Sequence, residues 1–183
     1  KSRSSAASDV YKRQAQGYDV GKSLVEDDKK DIALEILDLA KEKKVHFVLP
    51  LDHVLAASID PAAETTVADA FPFPAGMMGV DIGPKTVEAY ARTISSAKTI
   101  VWNGPLGVFE IDKFAVGTIK IAEAVAASRA LSIVGGGDSI AALNKAGVSG
   151  KITHISTGGG ASLEFLALAN LPGIAAGSYS PLQ

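Results

Sequence analysis

The chain has 183 residues, 47% hydrophobic and 21% charged, with a formal net charge of −2 and no cysteine. That length fits one domain with a real core, and the composition is globular rather than disordered. The near-neutral balance gives no reason to expect nucleic acid as a partner, the lack of thiols excludes disulfides and thiolate metal centres, and no apolar run approaches membrane-spanning length.

Residues 1–14 are Ser-rich and basic, without periodicity. The hexapeptide Asp9-Val10-Tyr11-Lys12-Arg13-Gln14 is similar to the translation of a transposon end used in sequencing-library adapters. Residues 1–16 are therefore expected to be a non-native or disordered leader, residues 17–177 the folded domain and residues 178–183 a polar tail. Ser23-Leu24-Val25-Glu26 has the spacing of a capping box. Val25, Ile32, Ala33, Ile36, Leu37 and Ala40 then recur on one face, which predicts a helix ending around residues 41–44. The Glu26/Lys30 pair falls on its solvated side. Val45-His46-Phe47-Val48-Leu49, stopped by Pro50, reads as a buried strand. Residues 54–57 and 66–70 are weaker strand candidates, and Pro72, Pro74 and Gly76 break the chain into a loop.

From Val80 strand and helix alternate. Pro84 suits a first helical turn, and Val87, Tyr90, Ala91 and Ile94 form that helix's apolar stripe. Thr99-Ile100-Val101-Trp102 is the next strand. Asp112 is placed to cap a helix carrying Phe114, Thr118, Ile121, Ala122 and Val125 on one side. The strand at residues 131–134, its helix, the strand at residues 153–156 and a final helix complete the series. This pattern predicts an α/β fold, a three-layer, mostly parallel Rossmann-like sheet with helices on both faces. Ligands of such sheets sit at the carboxyl ends of the strands.

Two glycine triplets lie at such ends. Leu131-Ser132-Ile133-Val134 runs into Gly135-Gly136-Gly137-Asp138-Ser139, and Thr153-His154-Ile155-Ser156-Thr157 runs into Gly158-Gly159-Gly160-Ala161-Ser162. Glycine lets backbone pass close to a bulky ligand, and the unpartnered amides that open a helix attract phosphate. On neighbouring strands the two turns would put two amide-lined mouths at the same end of the sheet. Asp138 is placed either to hold Mg²⁺, directly or through water, or to cap its helix; Ser139 is equally open. In Trp102-Asn103-Gly104-Pro105-Leu106-Gly107-Val108-Phe109-Glu110 a strand ends in a rigid loop. Glu110 there is either an acceptor for ribose hydroxyls or an exposed loop charge, while Trp102 reads as a core aromatic and Asn103-Gly104 as an ordinary turn. His46, His53 and His154 are scattered without metal-ligand spacing. No serine lies in a Gly-x-Ser-x-Gly turn, Walker A is absent, and the first triplet does not extend to Gly-x-Gly-x-x-Gly. Neither a P-loop NTPase nor an ordinary NAD enzyme is indicated.

Five segments, in order, are Val20-Gly21-Lys22-Ser23-Leu24-Val25-Glu26, Gly79-Val80-Asp81-Ile82-Gly83-Pro84-Lys85-Thr86, the Trp102 to Glu110 loop, Gly135-Gly136-Gly137-Asp138-Ser139, and His154 through Ser162. Together they resemble the carboxyl-terminal, nucleotide-binding domain of phosphoglycerate kinase, over residues 17–176 and incomplete at its amino-terminal side. The resemblance implies reversible ATP/ADP-dependent phosphoryl transfer between 3-phosphoglycerate and 1,3-bisphosphoglycerate in glycolysis. It also implies Mg²⁺, a cytoplasmic location and a monomeric full-length protein with neither nucleic acid nor membrane as partner. By motif, Glu110 would bind the ribose, and Asn103, Pro105 and Val108 would line the nucleoside pocket with Gly83 beside the nucleotide. Gly136, Gly137, Asp138 and Ser139 would meet the phosphates, Asp138 serving the metal. The amides of Gly158, Gly159 and Gly160 would face the transferred phosphoryl group, and Ser156-Thr157 resembles the interdomain hinge. Such transfer needs in-line positioning and neutralisation of charge rather than a covalent intermediate.

The chain departs from the family at Met77, where tryptophan is usual, and at residues 178–183. The amino-terminal domain with its basic patch for 3-phosphoglycerate has no counterpart in these residues. The same is true of the first part of the nucleotide domain, with its phosphate-binding lysines and glycine-rich adenine wall. The chain alone is therefore expected to be inactive, with self-association through an exposed sheet edge. The competing reading is a non-catalytic structural or mononucleotide-binding α/β module.

Overall fold

A computed structural model describes residues 30–69 and 72–156. Helix α1, Lys30–Glu42, ends where its periodicity predicts, while the capping box lies outside the described residues. Within its apolar stripe Ile32 is 52% exposed and Ile36 45%, while Leu37 and Ala40 are half-buried. The strand expected at residues 45–49 does not form. That stretch is irregular, Val45 is 59% exposed, and no strand ladder includes it among the described residues. A short apolar run becomes a strand only where a neighbour takes up its backbone groups, and composition cannot supply that neighbour.

The two weak strand candidates are real. Strands β1, Asp52–Ala56, and β2, Thr65–Asp69, pair antiparallel from Asp52↔Asp69 to Ala56↔Thr65. Strand β3, Met78–Ile82, lies on the other side of β1, also antiparallel, with a register shift between Val54 and Leu55. The alternation that starts at Val80 predicts parallel neighbours, but this strand pairs antiparallel with β1. Periodicity identifies a strand but not its partner, and β3 is tied to β1 where Gly83 N donates to Asp52 O at 2.9 Å.

Helix α2, Pro84–Ser96, starts with its proline in the first turn. Strand β4, Thr99–Asn103, is followed by a 3₁₀ turn at Asp112–Phe114 and helix α3, Val116–Ala127. Strand β5, Leu131–Gly135, helix α4, Gly137–Lys145, a 3₁₀ turn at Ser149–Lys151 and strand β6, His154–Ser156, complete the described chain. Strands β4, β5 and β6 form a parallel sheet in that order, so the α/β class is observed.

One face of this sheet carries the main core. Trp102 and Val134, with Ile100 and Ile155, pack against Val87, Tyr90 and Ile94 of α2, Ile121, Ala122 and Val125 of α3, and Ala142 and Leu143 of α4. Successive strand residues point to opposite faces. Val101 and Leu131 accordingly lie on the other side, 46% and 50% exposed. The final helix expected after Ser156 lies outside the described residues.

Two helices start on acceptors borrowed from strands. Neither α2 nor α3 has a side-chain cap at its own cap residue, Gly83 or Ala115. The Asp52 carboxylate accepts from Lys85 N at 3.0 Å and Thr86 N at 2.8 Å. Asp81 Oδ2 accepts from Gly117 N at 2.6 Å. Asp112 therefore does not cap α3 as expected; it lies in the preceding 3₁₀ turn, and its side chain is 94% exposed. A buried carboxylate from β3 has taken the cap's place, satisfying an amide that would otherwise be orphaned.

Candidate functional site

The carboxyl ends of the parallel strands coincide. Asn103 stands opposite Gly135, and Gly135 opposite Ser156, so the tips of β4, β5 and β6 line up at one end of the sheet. The first glycine turn begins there. Gly136 has φ +92°, and a Cβ on it would stand 2.9 Å from Asn103 Oδ1, so backbone twist and space both require glycine. Gly137 opens α4, with nothing within 4 Å of where its Cβ would be. Chain amides at a helix start, bare on one side, present the partial positive charge that an anion uses.

Asp138 lies in the first turn of α4 and is exposed, whereas the cap position falls on Gly136. Of its two readings, the capping one is thereby removed. Ser139 is fully buried, and its Oγ accepts from Gly104 N at 2.6 Å, which pins the start of the loop to α4. The second triplet, Gly158, Gly159 and Gly160, lies outside the described residues.

The loop from Trp102 to Glu110 is held at several points. Trp102 Nε1 donates to Gly104 O at 2.7 Å. Thr118 Oγ1 accepts from Leu106 N and Gly107 N, both at 3.1 Å, and Val108 N donates to Val80 O at 2.8 Å. Pro105 is buried, Val108 half-buried and Glu110 exposed at the end of this braced segment. Asn103, Pro105, Val108 and Glu110 thus share one rigid loop, joined through Ser139 to the turn bearing Gly136, Gly137 and Asp138. Gly83 is engaged elsewhere, at the β3–α2 junction, where a Cβ would come within 2.3 Å of the Asp52 carboxyl carbon.

Two aspartates have no accessible surface, Asp81 against Gly107 of the loop and Asp52 at the start of α2. Burial pushes Asp81 up to about 7, against the lowering effect of the Gly117 and Ile82 amides. For Asp52, burial also acts upward, but the Thr86 hydroxyl, the Lys85 and Thr86 amides and the Lys85 charge outweigh it and hold the carboxyl below its usual value. Sequence reasoning did not single out Asp52, Asp81, Thr86, Thr118 or Lys145. The signal available for Asp52 was a helix start at Gly83-Pro84 with no local capping side chain, whereas Asp112, an apparent local cap, hid the need for Asp81.

Among the described residues no group of three or more His, Cys, Asp or Glu side chains could hold a metal. One exposed carboxylate beside helix-opening amides does fit Mg²⁺ arriving with phosphate oxygens, because that ion keeps several waters and needs only one or two protein carboxylates. The donor set does not fit a resident metal cage.

A family model described as phosphoglycerate kinase matches residues 10–168. The chain is 55% identical over 164 residues to the phosphoglycerate kinase of Clostridium tetani, covering 90% of this chain and 41% of that protein. It is 57% identical over 166 residues to that of Chlorobium chlorochromatii, covering 89% and 42%. Among solved structures, phosphoglycerate kinase from Coxiella burnetii superposes with a TM-score of 0.87 at 43% identity, over 94% of this chain and 44% of that one. Phosphoglycerate kinase from Pyrococcus horikoshii OT3 does so with a TM-score of 0.70 at 38% identity, over 92% and 42%. The chain therefore spans well under half the length of these relatives.

Proposed function

Because the chain belongs to the phosphoglycerate kinase family, we propose that it supplies the Mg-nucleotide half of an enzyme that reversibly transfers a phosphoryl group between ATP and 3-phosphoglycerate in the cytoplasm, as a step of glycolysis. The observation that carries this reading is the alignment of Asn103, Gly135 and Ser156 at one end of the parallel sheet, with Gly136 turned against Asn103. In this reading the amides of Gly136 and Gly137 hold the phosphates, and Ser139, buried with its hydroxyl on Gly104 N, is assigned beside them on motif alone. Glu110 accepts from the ribose hydroxyls and Asn103, Pro105 and Val108 line the nucleoside pocket; Gly83, which packs against Asp52, is assigned to the nucleotide on motif alone. Gly158, Gly159 and Gly160 are assigned to the transferred phosphoryl group on motif alone. Mg²⁺, met by Asp138, supplies neutralisation of phosphate charge when bound. The chain's own residues bind and orient: transfer in line requires the nucleotide's terminal phosphate to be fixed at both ends.

The acceptor site for 3-phosphoglycerate belongs to residues outside this chain, and the full-length protein is assigned as a monomer. A chain with only the nucleotide half has nothing to hold the acceptor, so a coupled assay on the 183 residues should show no turnover. Observed turnover would overturn that assignment. The binding test is calorimetric titration of Mg-ADP into the chain, with Glu110→Ala and Asp138→Ala alongside. Each variant should bind about tenfold or more weakly, the usual loss for a charged hydrogen-bond partner. Unchanged affinity in both variants would reject the site, and a flavin or nicotinamide nucleotide binding better than ADP would favour a different mononucleotide module.

A further inference from the structure

Helix α4 reaches the loop at both of its ends. At its start Ser139 receives the Gly104 amide. In its last turn Lys145 extends Nζ to Phe109 O at 2.7 Å and Glu110 O at 3.3 Å, and to Asp112 Oδ1 at 2.6 Å. The Lys145 side chain is 27% exposed and that of Asp112 94%, so the ion pair is largely screened by water. The hold comes from the two carbonyls, because a hydrogen bond with a charged donor is stronger than a neutral one. A lysine in a last turn ordinarily serves the carbonyls of its own helix end. Here it crosses to the main chain of a loop that, on the reading above, carries the ribose acceptor.

We infer that Lys145 is a positioning residue for nucleoside recognition: by clamping the main chain at Phe109 and Glu110 it sets the distance from the Glu110 carboxylate to the amides that open α4. A helix of nine residues spans roughly 13 Å. Lys145 thus makes one rigid element the spacer between the proposed sugar and phosphate contacts. It touches neither ligand part itself. This rests on the assignment of Glu110 to the ribose and of Gly136 and Gly137 to phosphate.

The test compares Mg-ADP with Mg-pyrophosphate, which has the phosphates but no sugar, by calorimetry on the full chain. Lys145→Met should weaken Mg-ADP about tenfold and leave Mg-pyrophosphate within about twofold, while Lys145→Arg, which can still donate to carbonyls, recovers most of the loss. Equal loss of both ligands, or no loss of either, overturns the proposal. A wild-type chain that binds neither ligand overturns the assignment of the site first and this inference with it. An independent readout needs no ligand. Amide exchange at residues 108–111 should accelerate in Lys145→Met, with emission of the sole tryptophan, Trp102, shifted, while the amides of α3 stay protected. Unchanged exchange and emission in a folded Lys145→Met chain would sink the clamp whatever the titrations give.

Discussion

A carboxyl group taken out of water keeps its proton unless donors or charges compensate. Asp52 has three close donors in Lys85 N, Thr86 N and Thr86 Oγ1, the last at 2.7 Å. Asp81 has two, Gly117 N at 2.6 Å and Ile82 N at 2.9 Å, and no cation is among the causes of its shift. Their titrations therefore act on stability in opposite directions. The folded chain holds the Asp81 proton up to about pH 7, whereas the unfolded chain releases it near 3.8. The stability from this group is full below 3.8 and declines as pH rises to about 7, by roughly 4 kcal/mol at most. Urea unfolding from pH 4.5 to 7.5 should show wild type losing ground steadily against Asp81→Asn, which has no proton to lose. Parallel curves would mean that the carboxyl is ionised throughout. Asp52 contributes stability above 3.8 that is lost as pH falls through its lowered folded value, so its share fails only in acid.

At the scale of single elements, the turn between β5 and α4 carries a sharp expectation. A side chain at Gly136 meets both the unfavourable φ of +92° and the Asn103 amide oxygen. Gly136→Ala should cost about 1–3 kcal/mol in denaturant unfolding, and Asn103→Ala should not relieve the conformational part. Full relief by Asn103→Ala would assign the whole cost to crowding. Helices α2 and α4 and strands β4 to β6 were legible because proline, glycine triplets and apolar spacing are local signals. Residues 45–49 carry the composition of a strand but have no ladder among the described residues, which no local signal reports. Asp112 looked like a cap because an acidic residue before an apolar stripe usually is one; the true acceptor, Asp81, lies 36 residues from the amide that it receives. The glycines proposed to meet phosphate are legible in the sequence, whereas Thr118 and Lys145, which hold the loop from Trp102 to Glu110, act on backbone groups and leave no motif.

Across the molecule, apolar surface is distributed unevenly. Ile32, Ile36, Leu39 and Val45 on one part of the chain, and Val101 and Leu131 on the sheet, are all exposed, and β4 is an edge strand of the described parallel sheet. A sheet edge next to exposed apolar side chains invites pairing with another chain. Sizing chromatography at rising concentration should show association that a charged substitution on the edge, Val101→Lys, reduces. A single monomer peak at all concentrations would contradict this. The borrowed starts of α2 and α3 also make these helices depend on distant parts of the chain. A helical segment whose opening turn is completed by a strand more than thirty residues away gains that contact only once both have met. Nucleation within either segment alone is unfavourable. An excised peptide of residues 116–127, which lacks the Asp81 acceptor, should therefore remain mostly coil in water.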